Sequence, residues 1–179
     1  MGKGVRFLGK PVITRANQSS IGMGDEVMLI SSNRFTALGV SQPVILRTLC
    51  ADASIRIGDH VGISGSVLCS AMSIEIGNGT LLGSGVMIVD TDFHPLEAFP
   101  RRHAPLPTPQ EEEAVVVGQN VFVGARTLIL KGSTIGDNSV VGAGSVVSGH
   151  IPPDVVAAGN PCRVIRPLLD LQTYKVEER

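Results

Sequence analysis

The chain has 179 residues, with 15 Lys and Arg against 16 Asp and Glu, so its net charge is −1. That balance gives no electrostatic reason to invoke nucleic acid or a membrane surface as partner. Glycine is frequent at 21 residues, aromatics make up 3% and Trp is absent, which favours a core filled with Val, Ile and Leu over one filled with large rings.

The chain begins MGKGVRF with no apolar leader, and no run is long enough to span a bilayer. Gly2 does not open a myristoylation signal, because Arg6 stands where Ser or Thr is required. The expectation is a cytoplasmic protein with no membrane insertion. Val12 and Ile13 read as a first strand, and Ile21 and Val27 follow six residues apart. Residues 31–43 (SSNRFTALGVSQP) break the pattern with polar and turn residues. Ile45, Ala51, Ile57, Ile63 and Cys69 restore the six-residue step, one extra residue shifts it, and Ile76, Leu82 and Ile88 resume it. Residues 95–113 (PLEAFPRRHAPLPTPQEEE) hold five of the chain's 11 prolines and cannot form a rung.

The cleanest stretch follows. Val117, Val123, Ile129, Ile135, Val141 and Val147 stand six apart, and Gly118, Gly124, Gly136 and Gly142 each follow one of them. A period of six fits neither the 3.6 of a helix nor the 2 of a simple strand. It marks a parallel β-helix, in which each six-residue rung supplies one short strand and one turn of a triangular coil. The aliphatic side chain points inward, and the Gly beside it takes a turn that a Cβ would crowd. Removing the two breaks leaves about six coils of roughly eighteen residues. The expected organisation is one solenoid over residues 1–179, with loops at about 31–43 and 95–113. A short amphipathic helix at about 167–179 would cap the open end, where unpaired strand edges would otherwise face solvent.

Cys50, Cys69 and Cys162 are odd in number and lack zinc-site spacing, and Cys69 falls on an inward position. No metal is expected. The chemical signal is the segment Ile88-Val89-Asp90-Thr91-Asp92-Phe93-His94-Pro95, where the repeat stops and the Pro-rich excursion starts. A His with carboxylates nearby, on a rigid coil edge under a long loop, suits a general base working near neutral pH. The alternative is an Asp-rich solvated turn carrying an incidental His. Asp92, two residues earlier, shares a strand face with His94 and either orients the imidazole or satisfies local N–H groups. Arg101 and Arg102 either contact an anionic acceptor or form a solvated pair.

Three further segments, Val121-Phe122-Val123-Gly124-Ala125, the run from Ile135 through Gly142-Ala143-Gly144 to Val147, and Ala157-Ala158-Gly159-Asn160-Pro161-Cys162-Arg163-Val164-Ile165-Arg166, resemble the hexapeptide-repeat O-acetyltransferases. That group includes galactoside and maltose acetyltransferases and many polysaccharide-modifying enzymes. The resemblance covers roughly residues 45–166. It implies a left-handed β-helix, acetyl-coenzyme A as co-substrate, and a homotrimer with active sites between subunits. It further implies a sugar acceptor; the form Asp90-Thr91-Asp92-Phe93-His94, with the insertion at 31–43, is nearer to enzymes acting on cell-surface polysaccharide.

Residue by residue, the resemblance assigns His94, followed by Pro95, as the catalytic base. It places Ala125 and Ala143 against the pantetheine arm and Arg163 and Arg166 near the coenzyme A phosphates. Phe122 stands where the family often has Trp, keeping a ring face on the donor side. Gly149, followed by His150, stands where the family places a phosphate-side Lys. The acceptor region reads Ile63-Ser64-Gly65-Ser66, so Ser64 and Ser66, with Arg101, are the candidate acceptor contacts. Ser66 or Ser84 is also a candidate oxyanion donor. The alternatives are an amino-sugar N-acetyltransferase or serine-type acetyltransferase, a non-catalytic solenoid, and a γ-carbonic-anhydrase-like zinc protein. The last needs three suitably spaced His, which His60, His94, His103 and His150 do not provide.

Overall fold

A computed structural model describes residues 1–97 and 100–168. Short strands recur at each six-residue rung and collect into three parallel sheets that form the faces of a triangular prism. The first face stacks Arg6–Leu8, Met28–Ile30, Gly62–Ser64, Leu81–Leu82, Phe122–Val123, Val140–Val141 and Val155–Ala158. The second stacks Val12–Thr14, Ile45–Thr48, Val67–Ser70, Met87–Val89, Leu128–Ile129 and Val146–Val147. The third stacks Ser20–Met23, Ser54–Ile57, Ser73–Ile76, Val115–Val117, Thr134–Ile135 and His150–Ile151. The chain visits the faces in that order, giving six coils and the start of a seventh.

Ladder register explains why one aliphatic residue per rung suffices. Ile63, Leu82, Val123 and Val141 align down the first face, Ile88, Ile129 and Val147 down the second, and Ile76, Val117, Ile135 and Ile151 down the third. All are buried, and each contributes about 1.5–3 kcal/mol by leaving water. Two residues ahead of several of them stands a buried hydroxyl that satisfies a carbonyl of the adjoining coil. Thr80 Oγ1 donates to Gly118 O at 2.8 Å, and Ser139 Oγ donates to Pro152 O at 2.8 Å. Such buried polar groups are tolerated because they are paired.

The structure corrects the early register. Leu46 and Leu68, not Ile45 and Cys69, align with Ile88 on the second face. Ala51 is exposed at a corner, while Ala53, Ile55 and Ile57 point inward. Neighbouring aliphatics such as Ile45-Leu46 and Val67-Leu68-Cys69 leave a six-residue count free to choose the wrong one. Cys69 is nonetheless buried, and burial pushes its thiol pKa up. Another correction concerns the start: Arg6–Leu8 forms a strand ahead of Val12–Thr14.

At the far end, Arg163–Pro167 turns back antiparallel on Val155–Ala158 and pairs the last edge of the first face. A strand therefore covers this edge where a helix alone was expected to cap the stack. The expected helix beyond residue 168 lies outside the described residues. Both long loops leave the prism at corners, and at different ones. Residues 31–44 depart between the first and second faces, and residues 90–114 between the second and third.

Candidate functional site

Gly-Ala steps shape the corner between the first and second faces. Gly83-Ser84-Gly85, Gly124-Ala125-Arg126 and Gly142-Ala143-Gly144 occupy equivalent turns on successive coils. A Cβ on Gly124 would lie 2.4 Å from Ala143 N, so glycine is what lets the turns stack so closely. The small residues leave a groove of about 1200 Å³ along this edge.

The opposite wall of the groove is the 31–44 loop, which contributes Asn33 and residues 38–42. Hydrogen bonds pin that wall. Ser84 Oγ donates to Gly39 O at 2.6 Å, Val40 N donates to Asn33 Oδ1 at 2.6 Å, and Val44 N donates to Ser31 Oγ at 3.0 Å. Ala125 and Ala143, expected on the donor side, are thus brought together in one groove.

Arg126 also lines the groove, and sequence reasoning missed it. It is exposed and takes a left-handed turn (φ 60°) where the equivalent positions are Gly85 and Gly144. The signal was present: Gly-Ala-Arg stands in one coil where the next has Gly-Ala-Gly. A guanidinium there supplies charge-assisted donors for an anionic or carbonyl-rich ligand.

Arg163 follows a segment that closes the C-terminal end of the groove, where Val146 N donates to Gly159 O at 2.9 Å and Cys162 N to Val146 O at 2.8 Å. Arg163 and Arg166 are both exposed, and each turns a guanidinium N–H onto a nearby carbonyl, of Cys162 at 2.9 Å and of Pro167 at 3.0 Å. Phe122 instead stands on the outer first face, where it shares a smaller hollow of about 490 Å³ with Ser64, His60 and Leu81. Gly83 lines this hollow and Ser84 the groove, so the two adjoin across the corner.

Ser66 does not fit an acceptor contact. It is wholly buried, and its hydroxyl donates to Ser64 O at 3.0 Å and Gly83 O at 3.1 Å. Its hydroxyl is a corner fastener, and the same burial removes it as an oxyanion donor. The side chain of Arg101 lies outside the described residues.

His94 is exposed and stands at the other corner, between the second and third faces. Its turn is built on Asp90, a fully buried carboxylate that accepts from Ser70 Oγ at 2.6 Å, Ala71 N at 2.6 Å and Met72 N at 2.9 Å. Phe93 then takes φ 62° and swings the chain outward. Asp92, read either as orienting the imidazole or as satisfying local N–H groups, has Lys131 Nζ 2.7 Å from its Oδ2. Lys131 is a second residue the sequence did not flag. Among the described residues, no group of three His, Cys, Asp or Glu gathers as a metal site, and no helix is long and apolar enough to cross a membrane.

Three parallel sheets stacked by six-residue rungs, with a walled groove on one edge, define a hexapeptide-repeat solenoid. Residues 114–149 match the family model described as bacterial transferase hexapeptide (six repeats). A galactoside O-acetyltransferase of Lactococcus lactis subsp. lactis (strain IL1403) is 31% identical over 169 residues, covering 91% of this chain and 79% of the relative. One from Escherichia coli (strain K12) is 40% identical over 111 residues, covering 59% of this chain and 52% of the relative, so the match spans about half of that protein. A solved galactoside acetyltransferase in complex with coenzyme A superposes with a TM-score of 0.57 at 27% identity, covering 94% of this chain and 66% of that one. The chain belongs to the hexapeptide-repeat O-acetyltransferase family, and its prism is that family's left-handed β-helix.

Proposed function

We propose that the chain transfers an acetyl group from acetyl-coenzyme A to a hydroxyl of a sugar, in the cytoplasm, with His94 as general base. The observation that carries this reading is the groove that unites Ala125, Ala143 and Arg126 under the docked 31–44 loop. Its small residues admit a thin pantetheine arm against the coil edge. Arg126 within it and Arg163 near its C-terminal end offer cations to the donor's phosphates. The adjoining hollow at Ser64 and Phe122 is the reading's place for the acceptor, with a ring face suited to a sugar.

His94 takes the hydroxyl proton as the acceptor oxygen bonds to the thioester carbonyl carbon, the C–S bond breaks, and the thiol leaves with a proton. Preorganised donors for the oxyanion would come from the groove's corner turns, where the backbone N–H at Ser84 is a candidate, its hydroxyl being committed to Gly39 O. Within one chain, His94 and the groove lie on different corners of the prism, which supports a site completed by a second copy. A homotrimer closes three such sites by symmetry. Large apolar side chains exposed on the first and second faces, Leu81, Phe122 and Met87, are in keeping with burial between copies. An acceptor sugar belonging to a cell-surface polysaccharide precursor is the finer form of the proposal, supported by the resemblance of the 90–94 segment to such enzymes.

Calorimetric titration with coenzyme A tests the donor site. Wild type and His94→Ala should bind saturably, and Ala143→Leu, which fills the groove, should not. Absence of binding to wild type would overturn the transferase reading in favour of a non-catalytic solenoid.

A further inference from the structure

The excursion that begins beside His94 leaves the prism at one corner and returns to it at the same corner. Asp92 stands at its outgoing end and Glu113 at its returning end. One ammonium lies between them: Lys131 Nζ is 2.7 Å from Asp92 Oδ2 and 2.6 Å from Glu113 Oε1. Lys131 itself is firmly placed. It belongs to the next coil, in the turn between Leu128–Ile129 and Thr134–Ile135, and Gly132 N donates to Glu113 O at 2.8 Å. Glu113 is anchored a second way, because its Oε2 accepts from Gln110 N at 3.1 Å.

We propose that Lys131 is a positioning residue for the transfer: by pairing with Asp92 and Glu113 together it closes the neck of the 93–112 excursion and fixes the place from which His94 is presented. The proposal rests on the reading of His94 as base. It gives Asp92 a different task from orienting the imidazole, namely to hold the outgoing strand end two residues before His94. Asp90 fastens the coil just upstream, so the neck has one buried anchor and one surface clamp. Removing the ammonium does more than delete two ion pairs. It leaves two carboxylates of like charge facing one another across the neck, and their repulsion drives the ends apart. The Lys131 amine, like any ordinary lysine, is charged at neutral pH, and its shared hydrogen bonds to both carboxylates push its pKa further up. A lone surface ion pair contributes little, but a network closing a long loop restricts many residues together.

The test uses Lys131→Met and Lys131→Arg in the full chain, with two independent readouts. An arginine-specific protease, with products weighed by mass spectrometry, reports nicking after Arg101 or Arg102 in the loop. Steady-state kinetics report kcat and the KM for acetyl-coenzyme A. Lys131→Met should be nicked about tenfold faster and lose about tenfold in kcat, with donor KM within about twofold of wild type. Lys131→Arg should recover both values, and thermal unfolding of the two variants confirms that the coils remain folded.

Nicking and kcat both at wild-type values in Lys131→Met would overturn the proposal. So would a kcat loss matched by a loss of coenzyme A binding, which would mean a general structural effect. His94→Ala separates the two layers. If it is inactive while Lys131→Met is unaffected in both readouts, the clamp alone fails. If His94→Ala turns over like wild type, the base assignment fails and the positioning role with it, while nicking still reports whether the neck is closed.

Discussion

Asp90 makes the strongest stability prediction, because its carboxylate is fully enclosed and three donors converge on it. Ser70 Oγ and Ala71 N each approach to 2.6 Å and Met72 N to 2.9 Å. Asp90→Ala leaves all three without an acceptor in a site that water reaches poorly. A hydrogen bond to a charged group contributes about 1.5–3 kcal/mol, and a buried donor left unpaired costs about 1–3 kcal/mol. Allowing for relaxation and for water entering the space of the lost carboxylate, the three together come to about 3–6 kcal/mol, a large share of a typical domain's stability. Urea unfolding at fixed protein concentration measures this, since any self-association would otherwise shift the midpoint. Ser70→Ala removes one of the three donors to the buried carboxylate, so it should cost about 1.5–3 kcal/mol, and much less when Asp90 is already gone. A loss below about 1 kcal/mol in Asp90→Ala, or strict additivity of the two changes, would refute the view that this carboxylate ties the second face to the turn before His94.

Glycine substitutions should separate steric need from conformational need. Gly124→Ala puts a Cβ 2.4 Å from the backbone of Ala143 and should lower stability by about 1–3 kcal/mol or more. Gly144→Ala, with open space around its Cβ but φ +71°, should cost only about 1 kcal/mol; thermal midpoints compare the two. Arg126→Ala should weaken coenzyme A binding about tenfold by calorimetry while leaving the unfolding midpoint unchanged, because Ala keeps the Cβ that strains the left-handed turn. Burial is the first cause holding the Cys50, Cys69 and Cys162 thiols above their ordinary pKa. The unfolded chain therefore loses these protons at lower pH than the folded one, and stability should fall as pH rises through and beyond the usual thiol range. Denaturation at pH 7.5 and 10 checks it, with the triple Cys→Ser variant losing that part of the slope.

Legibility in the sequence followed how uniquely each rung could be read. Between residues 117 and 147 the six-residue step runs unbroken and Gly follows four of the six inward positions, so even Ile129, between Leu128 and Leu130, is fixed by its neighbours in the count, and every one is buried as expected. In the earlier coils aliphatics stand side by side, as in Val67-Leu68-Cys69, and periodicity has no means of choosing among them. Arg6–Leu8 was missed because it opens the stack with no coil before it. Ala125 and Ala143 were named through the family resemblance, and the repeated Gly before each of them explains why both reach the same groove. The partition of His94 and the groove between two corners was not legible, since it depends on which face each loop leaves from. Lys131 was invisible for a related reason: its partners Asp92 and Glu113 are distant in sequence and become neighbours only when the coils stack.

The central claim is that this solenoid moves an acetyl group with His94 as base. The most direct measurement follows thiol release from acetyl-coenzyme A by wild type and His94→Ala, with galactosides, polysaccharide-precursor sugars and amino-sugars as acceptors. The account predicts acceptor-dependent release by wild type with a hydroxyl acceptor, and a fall of about 10²–10⁴-fold in His94→Ala with coenzyme A still bound. Release that persists undiminished in His94→Ala, or no release with any acceptor, would contradict it.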